Sequence, residues 1–534
     1  MAAEKKQSFL GGAAVLAFGI VAVKVIGAVF KIPLRNILGE AGSADFSNAY
    51  NIYGTLLTVS TAGLPVALSK LVSESYARGR TQQARRTFRV AFLIFLALGL
   101  VSFALMWWGN GYLAGLLNNP RAAYGIRALA PAVICVACLS AFRGYAQGRQ
   151  YMTPTAVSQI IEALCKLLFG LALSVWLLHL GQPDYIAAAG AIAGVTAGTV
   201  LSLLYMAANY LRHRPLVRRG EPCAPDGAIL RRLLALAVPI TISSSMVSII
   251  TLIDTSLVQG RLQSALHYSL DEMRALYGNY SACMDLYNLP ASLMVALTAS
   301  VIPAVSSAIT RRDRRQTARI VRSSFRVTAL LAFPMGLGLW SLSKPIFHLC
   351  YRSYNAELGG PLLATLGIAS IFVCLMLVTN SILQAYGRVS TPILTMLIGG
   401  VVKILLNYNL VAIPSVNIHG APIGTLVCFA LTALLNLIAV ARIAPFRLNY
   451  LGYFLRPLLA SLAMAFTARG AYSLISHFIV LSSERLTLLL CVLFSIGAAV
   501  VVYGILVLAL HCIRRSDLAL LPKGEKLADL LHIS

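Results

Sequence analysis

Six cations stand inside or at the ends of long apolar stretches: Lys24, Lys31, Lys70, Lys166, Lys403 and Arg469. A charge at the centre of a membrane helix costs about 2.5–3.5 kcal/mol on insertion scales, so each needs a partner or a wet surface. Lys24 and Lys31 are seven residues apart, two helical turns, and share a face. Lys24 lies just past the middle of its stretch and is expected to face a wet cavity. Lys31 sits near the outer end, where its stem can reach the interface. Lys166 follows Glu162 by four residues, a spacing that lets the two pair. Lys403 has no acid in its own stretch and is a cavity candidate. Lys70 and Glu74 lie at a stretch end, where pairing and snorkelling account for them. With only Glu162 opposing Lys24, Lys31, Lys166, Lys403 and Arg469, a shared cavity would be cationic. It would suit an anion, above all a diphosphate, which offers several acceptors to ammonium point charges. Asp254 and Asp285 are candidates for a proton relay or an Na⁺ site, and Asn48 and Asn51 for further polar lining.

The chain that must position these groups has 534 residues, 58% hydrophobic and 12% charged. A soluble protein carries roughly a quarter charged residues, so the composition is that of a polytopic membrane protein. Fourteen stretches are long enough to cross about 30 Å of hydrocarbon. Two long ones, 46–76 and 276–309, contain Gly63-Leu64-Pro65 and Pro290 with Pro303, where breaks or kinks are expected. The N-terminal apolar run continues to about Ile32 without a cleavage site and reads as the first membrane helix.

Lys and Arg outnumber Asp and Glu by 44 to 18, a net charge of +26. Nucleic-acid binding is the reading for a soluble chain; here the bias follows the loops. The odd-numbered loops hold Arg35, Arg121, Arg127, Arg261, Arg274, Lys344, Arg352 and Arg485, while the N-terminus, the even loops and the C-terminus hold most of the rest. The positive-inside rule therefore puts both termini in the cytoplasm of a plasma-membrane protein. No Walker A loop or H-E-x-x-H is present and no His lies deep in a stretch, so an enzyme, an ATP-driven pump and a metal centre are all disfavoured. Cys135 and Cys138 form a lone C-x-x-C in an apolar helix and read as small core residues. No cofactor is implied beyond a coupling ion, H⁺ or Na⁺.

The chain also repeats. Pro65 and Pro303 are 238 residues apart, as are Pro154 and Pro392, and the segments after the first pair both end in Phe-Arg-Val, at Phe88 and Phe325. The offset spans six helices, so the halves keep one orientation, a parallel repeat about an axis along the membrane normal. The expected architecture is all-α and polytopic. It has an N-lobe of helices 1–6 (residues 1–210), a basic linker (211–232), a C-lobe of helices 7–12 (233–441), and helices 13–14 with a cytoplasmic tail (442–534).

Phe30–Glu74 (FKIPLRNILGEAGSADFSNAYNIYGTLLTVSTAGLPVALSKLVSE) and Gly144–Lys166 (GYAQGRQYMTPTAVSQIIEALCK) resemble the stage V sporulation protein B and polysaccharide biosynthesis branch of the flippase superfamily. That superfamily also holds the lipid II flippases and the multidrug and toxin extrusion (MATE) antiporters, and the resemblance covers essentially the whole chain. It implies a MATE-like fold and translocation of an undecaprenyl-diphosphate-linked sugar, such as lipid II, from inner to outer leaflet by alternating access. Such a precursor serves peptidoglycan in the vegetative wall or the spore cortex. Lys24 matches the helix 1 position of the cations that lipid II flippases carry on helices 1, 2 and 8. The other two are not reproduced: Lys70 is too near the cytoplasm, and helix 8 offers Asp285. Lys166 and Lys403 are then the expected substitutes, and Arg469 marks a groove for the lipid tail on helices 13–14. The implied partners are a polyprenyl-diphosphate-linked saccharide, membrane lipids and cell-wall synthesis enzymes, with the chain itself a monomer. The alternatives are a cation-coupled exporter of small drugs, using Asp254, Glu162 or Asp285, and a non-transporting scaffold.

Overall fold

The computed structural model describes residues 9–213, 223–478 and 483–512. The N-terminal residues 1–8, most of the basic linker (214–222), residues 479–482 and the tail 513–534 lie outside the described residues. Twelve helical stretches among the described residues are long and apolar enough to cross a membrane. Two features separate that number from the fourteen expected. The first stretch, Ala22–Ala77, takes in two expected segments, and the 41-residue helix Leu270–Thr310 is not among the twelve.

The chain forms two compact units, Met1–Gly278 and Asn279–Ser534. The first contains α1 (Phe9–Thr61), α2 (Leu64–Ala77), α3 (Thr81–Trp108), α4 (Asn110–Leu116), α5 (Ala122–Gly148), α6 (Thr153–His179), α7 (Asp184–Arg212), α8 (Asp226–Ser264) and the opening turns of α9 (Leu270–Thr310). α1 is broken at Gly39, whose φ of 67° lies in the left-handed region, a conformation glycine reaches without a Cβ clash. Sixteen residues of straight helix would separate Phe30 from Phe46 by about 24 Å. Their ring centroids are instead 6.3 Å apart, so the chain turns back on itself there. As the Gly-Leu-Pro sequence leads one to expect, α1 ends at Thr61 and α2 begins at Leu64, with Pro65 in its first turn, where a missing N–H costs nothing. α9, by contrast, runs unbroken through Pro290 and Pro303.

The core of this unit packs Phe30, Leu34, Phe46 and Ile52 of α1 against Leu129 and Val133 of α5 and Ala187, Ala191 and Ile192 of α7. Small residues on α7 let the backbones approach, as membrane helix pairs require. α8 is joined to α1 by a polar seam. Asn48 and Gln259 exchange two amide hydrogen bonds of 2.8 Å, Asn51 Nδ2 donates to Thr255 Oγ1 (3.2 Å), and the Gly63 amide donates to Thr241 Oγ1 (3.1 Å). Each bond hides polar atoms that hydrocarbon would leave unsatisfied. This seam explains why packing groups α8 with the first unit, while the sequence repeat makes it the opening helix of the second lobe.

The second unit contains the rest of α9, then α10 (Arg314–Ser341), α11 (Ser343–Cys350), α12 (Ala356–Ala385), α13 (Ser390–Leu410), α14 (Gly420–Ile443), α15 (Tyr450–Phe478) and α16 (Glu484–Ala509). Its core sets Phe325, Phe333 and Leu337 of α10 against Ile371, Cys374 and Val378 of α12 and Ala465 of α15.

Candidate functional site

In the first unit, Lys166 of α6 lies between two rings of α1. Its Nζ is 4.8 Å from the Phe30 ring centroid and 4.7 Å from that of Tyr50, and it donates to the Tyr50 hydroxyl at 3.4 Å. The two rings come from opposite sides of the Gly39 break, so the turn in α1 builds this cradle. Phe46 stacks on Tyr50 at 5.7 Å and Tyr53 follows at 5.6 Å, which holds the Tyr50 ring in place. A ring face attracts an ammonium by about 0.5–2 kcal/mol and leaves its positive charge unneutralised.

Glu162, one turn before Lys166, does not pair with it. Its carboxylate accepts from Arg143 Nη2 of α5 at 3.0 Å, and Arg143 Nε also donates to Ser158 Oγ at 2.9 Å. Helical spacing places Glu162 and Lys166 on one face, but the planar guanidinium satisfies the carboxylate and the Ser158 hydroxyl together, which an ammonium at that position cannot do. In the sequence Arg143 stands at the edge of an apolar stretch and reads as a loop cation. α5 in fact continues to Gly148 and carries it along Ser158 and Glu162 of α6. The two side chains keep 15% and 28% of their exposure, so the pair is accessible. The result is an aromatic cradle holding one unneutralised cation beside a neutral ion pair.

The other predicted residues are distributed as follows. Lys24 is exposed on α1, and Lys31 is half-buried next to Phe30. Asp254 is buried on α8. Asn48 and Asn51 are engaged in the α1–α8 seam. In the second unit, Lys403 is 92% buried on α13, Asp285 is half-buried on α9 and Arg469 is exposed on α15. A polar ladder flanks α13: Thr395 donates to Asn436 at 2.7 Å, and Asn436 donates to Asn380 at 2.8 Å.

A second cluster in the first unit gathers residues that the sequence does not single out for chemistry. Arg274, at the start of α9, is 99% buried among three carboxylates. It donates through Nε to Asp45 Oδ1 (3.1 Å), through Nη2 to Asp45 Oδ2 and to Asp184 Oδ2 (2.8 Å), and through Nη1 to Asp271 Oδ1 (2.8 Å). Asn119 donates to Asp45 at 2.8 Å, and Arg121 reaches Asp271 at 2.6 Å. Hydrogen bonding from Arg274 holds the exposed Asp271 carboxyl below its ordinary range. The cluster clasps α1, α7 and α9 together. Its members are far apart in sequence, so no local spacing announces it.

The polysaccharide biosynthesis protein family matches residues 9–309, and the MatE family matches residues 239–409. The lipid II flippase MurJ of Bacillus subtilis is 25% identical over 82% of this chain and 83% of its own. Stage V sporulation protein B of the same organism is 25% identical over 97% of this chain and 98% of its own. In fold, a solved inward-closed lipid II flippase MurJ superposes with a TM-score of 0.67 at 16% identity, covering 93% of this chain and all of that one. An inward-facing multidrug resistance MATE transporter of the MOP superfamily follows at 0.64 and 14% identity, over 80% of this chain and 98% of that one. The fold is thus that of membrane transporters and not of a catalytic enzyme. The chain belongs to the polysaccharide biosynthesis protein family, as a multi-pass membrane protein with the MATE-like fold its sequence leads one to expect.

Proposed function

We propose that this protein is a flippase of the plasma membrane that moves an undecaprenyl-diphosphate-linked sugar, lipid II or a close relative, from the inner to the outer leaflet by alternating access. Both termini lie in the cytoplasm. The observation that carries the reading is Lys166: its charge rests on the Phe30 and Tyr50 rings while Glu162 is taken up by Arg143. An ammonium held by π faces keeps donor capacity for an incoming anion. Lys166 receives the diphosphate, and the exposed Lys24 and the half-buried Lys31 extend the cationic surface along α1. Lys403, buried on α13, is a further lysine proposed to contact the diphosphate. Exposed Arg469 on α15 stands beside the route of the polyprenyl tail. Asp254 and Asp285 are the groups available to a coupling proton or Na⁺.

The similarity to MurJ supports a lipid-linked substrate, and the match to the MatE family over 239–409 supports the alternating-access fold equally for a drug exporter. Reconstitution separates the two. Proteoliposomes carrying a fluorescent undecaprenyl-diphosphate saccharide in the inner leaflet should expose it to an external quencher, and Lys166→Ala should abolish that exposure at unchanged protein content. Export of a lipophilic cation with no movement of the lipid would overturn the assignment and leave the exporter reading in its place.

A further inference from the structure

We infer that the arginine-rich end of α10 is a second anion site, distinct from the Lys166 cradle, that holds a phosphate or diphosphate group. A cavity of about 490 Å³ opens there, lined by Arg314, Arg315, Arg319, Arg322 and Arg326 with Ala318 and Phe446. Arg315, Arg319, Arg322 and Arg326 follow at offsets of four, seven and eleven, so they form one stripe down a single helix face. Like charges at these spacings repel, and among the described residues the cavity lining holds no carboxylate. The neighbouring acid, Asp313, caps α10 by accepting from the Gln316 amide at 2.8 Å.

The walls also fix the forks in place. The Arg322 guanidinium lies 5.6 Å from the Phe446 ring centroid, and its Nη2 donates to the Arg447 carbonyl at 3.2 Å, while its Nε is buried without an acceptor. Arg326 is 92% buried and sits 5.9 Å from the Tyr453 ring. Beside the stripe, Phe325 packs edge-on against Tyr450 and Phe454, which fixes the rotation of α10. Pre-organised guanidinium forks match phosphate oxygens in pairs and are the side chains best suited to bind them.

A purely topogenic role needs positive charge near the membrane. It does not need a concave, aromatic-backed cluster with a buried N–H left over. The cavity stands at the polar end of a membrane-length helix. An acidic phospholipid headgroup and a soluble phosphate compound can both reach it, and they share the chemistry the arginines read.

The test uses the full chain in nanodiscs. Inorganic diphosphate is titrated calorimetrically in neutral phosphatidylcholine discs, and phosphatidylglycerol retention from mixed discs is counted by native mass spectrometry. Two variants are compared with the wild type. Arg315→Gln with Arg319→Gln removes exposed charge with little risk to folding, and Arg322→Lys keeps the charge but loses the stacked fork. Saturable diphosphate binding that weakens at least tenfold in the double variant, and less in Arg322→Lys, assigns the site to a soluble phosphate compound. Retention of phosphatidylglycerol that is lost in the double variant, without diphosphate binding, assigns it to a lipid headgroup. Binding of neither probe, or equal binding of both probes by wild type and double variant, overturns the inference.

Discussion

Replacing Asp45 with Ala tests the clasp around Arg274. The carboxylate accepts from Arg274 Nε and Nη2 and from Asn119, and both charged side chains are almost fully buried, at 1% and 2% exposure. Removing one partner of a buried pair costs about 3–5 kcal/mol, because the remaining charge is left in a poorly solvated site. Arg274 would still hold Asp184 and Asp271, so the cost belongs at the lower end, about 3 kcal/mol. For a unit of this size each kcal/mol moves an unfolding midpoint by roughly 2–4 °C, which gives a drop on the order of 6–12 °C. Scanning fluorimetry of the detergent-purified protein at a fixed heating rate reads it, since unfolding of a chain like this is expected to be scan-rate dependent. Combining Asp45→Leu with Arg274→Met should recover much of the loss, because apolar replacement of a buried pair is often neutral or stabilising. A midpoint for Asp45→Ala within about 1–2 °C of wild type, or a double variant no better than the single, would show that no mutually dependent ion cluster joins these helices.

Two further predictions address the turn in α1 and the clasp's response to acid. Gly39 combines a φ of 67° with a ψ of −171°, a region essentially restricted to glycine, and no packed neighbour lies within 4 Å of the point a Cβ would occupy, so Gly39→Ala should cost only backbone strain, about 1–3 kcal/mol. The same fluorimetry should show a drop of a few degrees. An unchanged midpoint would mean that the break does not require the left-handed conformation. Asp271 is held below its ordinary value by Arg274; its contribution is therefore complete above the usual carboxylate range and is lost as pH falls through the lowered value. Stability measured from neutral pH down into the acid range should fall more gently for Asp271→Asn than for wild type, with the curves converging at the acid end. Parallel curves would contradict the assignment.

The fold class and part of the candidate site are legible in the sequence because membrane burial writes on composition. Long apolar runs, basic loops and a deep Lys166 are each visible one residue at a time. The rest is hidden for geometric reasons. Glu162 and Lys166 are four apart and free to pair, yet Glu162 takes Arg143, nineteen residues back on another helix, whose fork also satisfies Ser158. The role of Phe30 and Tyr50 depends on the turn at Gly39, which hydropathy does not register. Arg274 meets Asp45 across 229 positions and Asp184 across 90, distances at which spacing carries no information. α8 illustrates the same limit: periodicity counts it into the second repeat, while the side chains at Thr255 and Gln259 bind it to α1.

If Lys166 is the receptor for a lipid diphosphate, its removal must weaken binding of that lipid and leave binding of a neutral lipid unchanged. Native mass spectrometry of the detergent-purified protein, wild type and Lys166→Ala, titrated with lipid II and with a neutral lipid of matched mass, measures this without a transport assay. A lost charge-assisted contact of about 1.5–3 kcal/mol corresponds to roughly 10–150-fold in affinity. The wild type should prefer lipid II, Lys166→Ala should bind it more weakly by that factor, and both should bind the neutral lipid equally. Equal affinity of wild type and Lys166→Ala for lipid II would remove Lys166 from the substrate site.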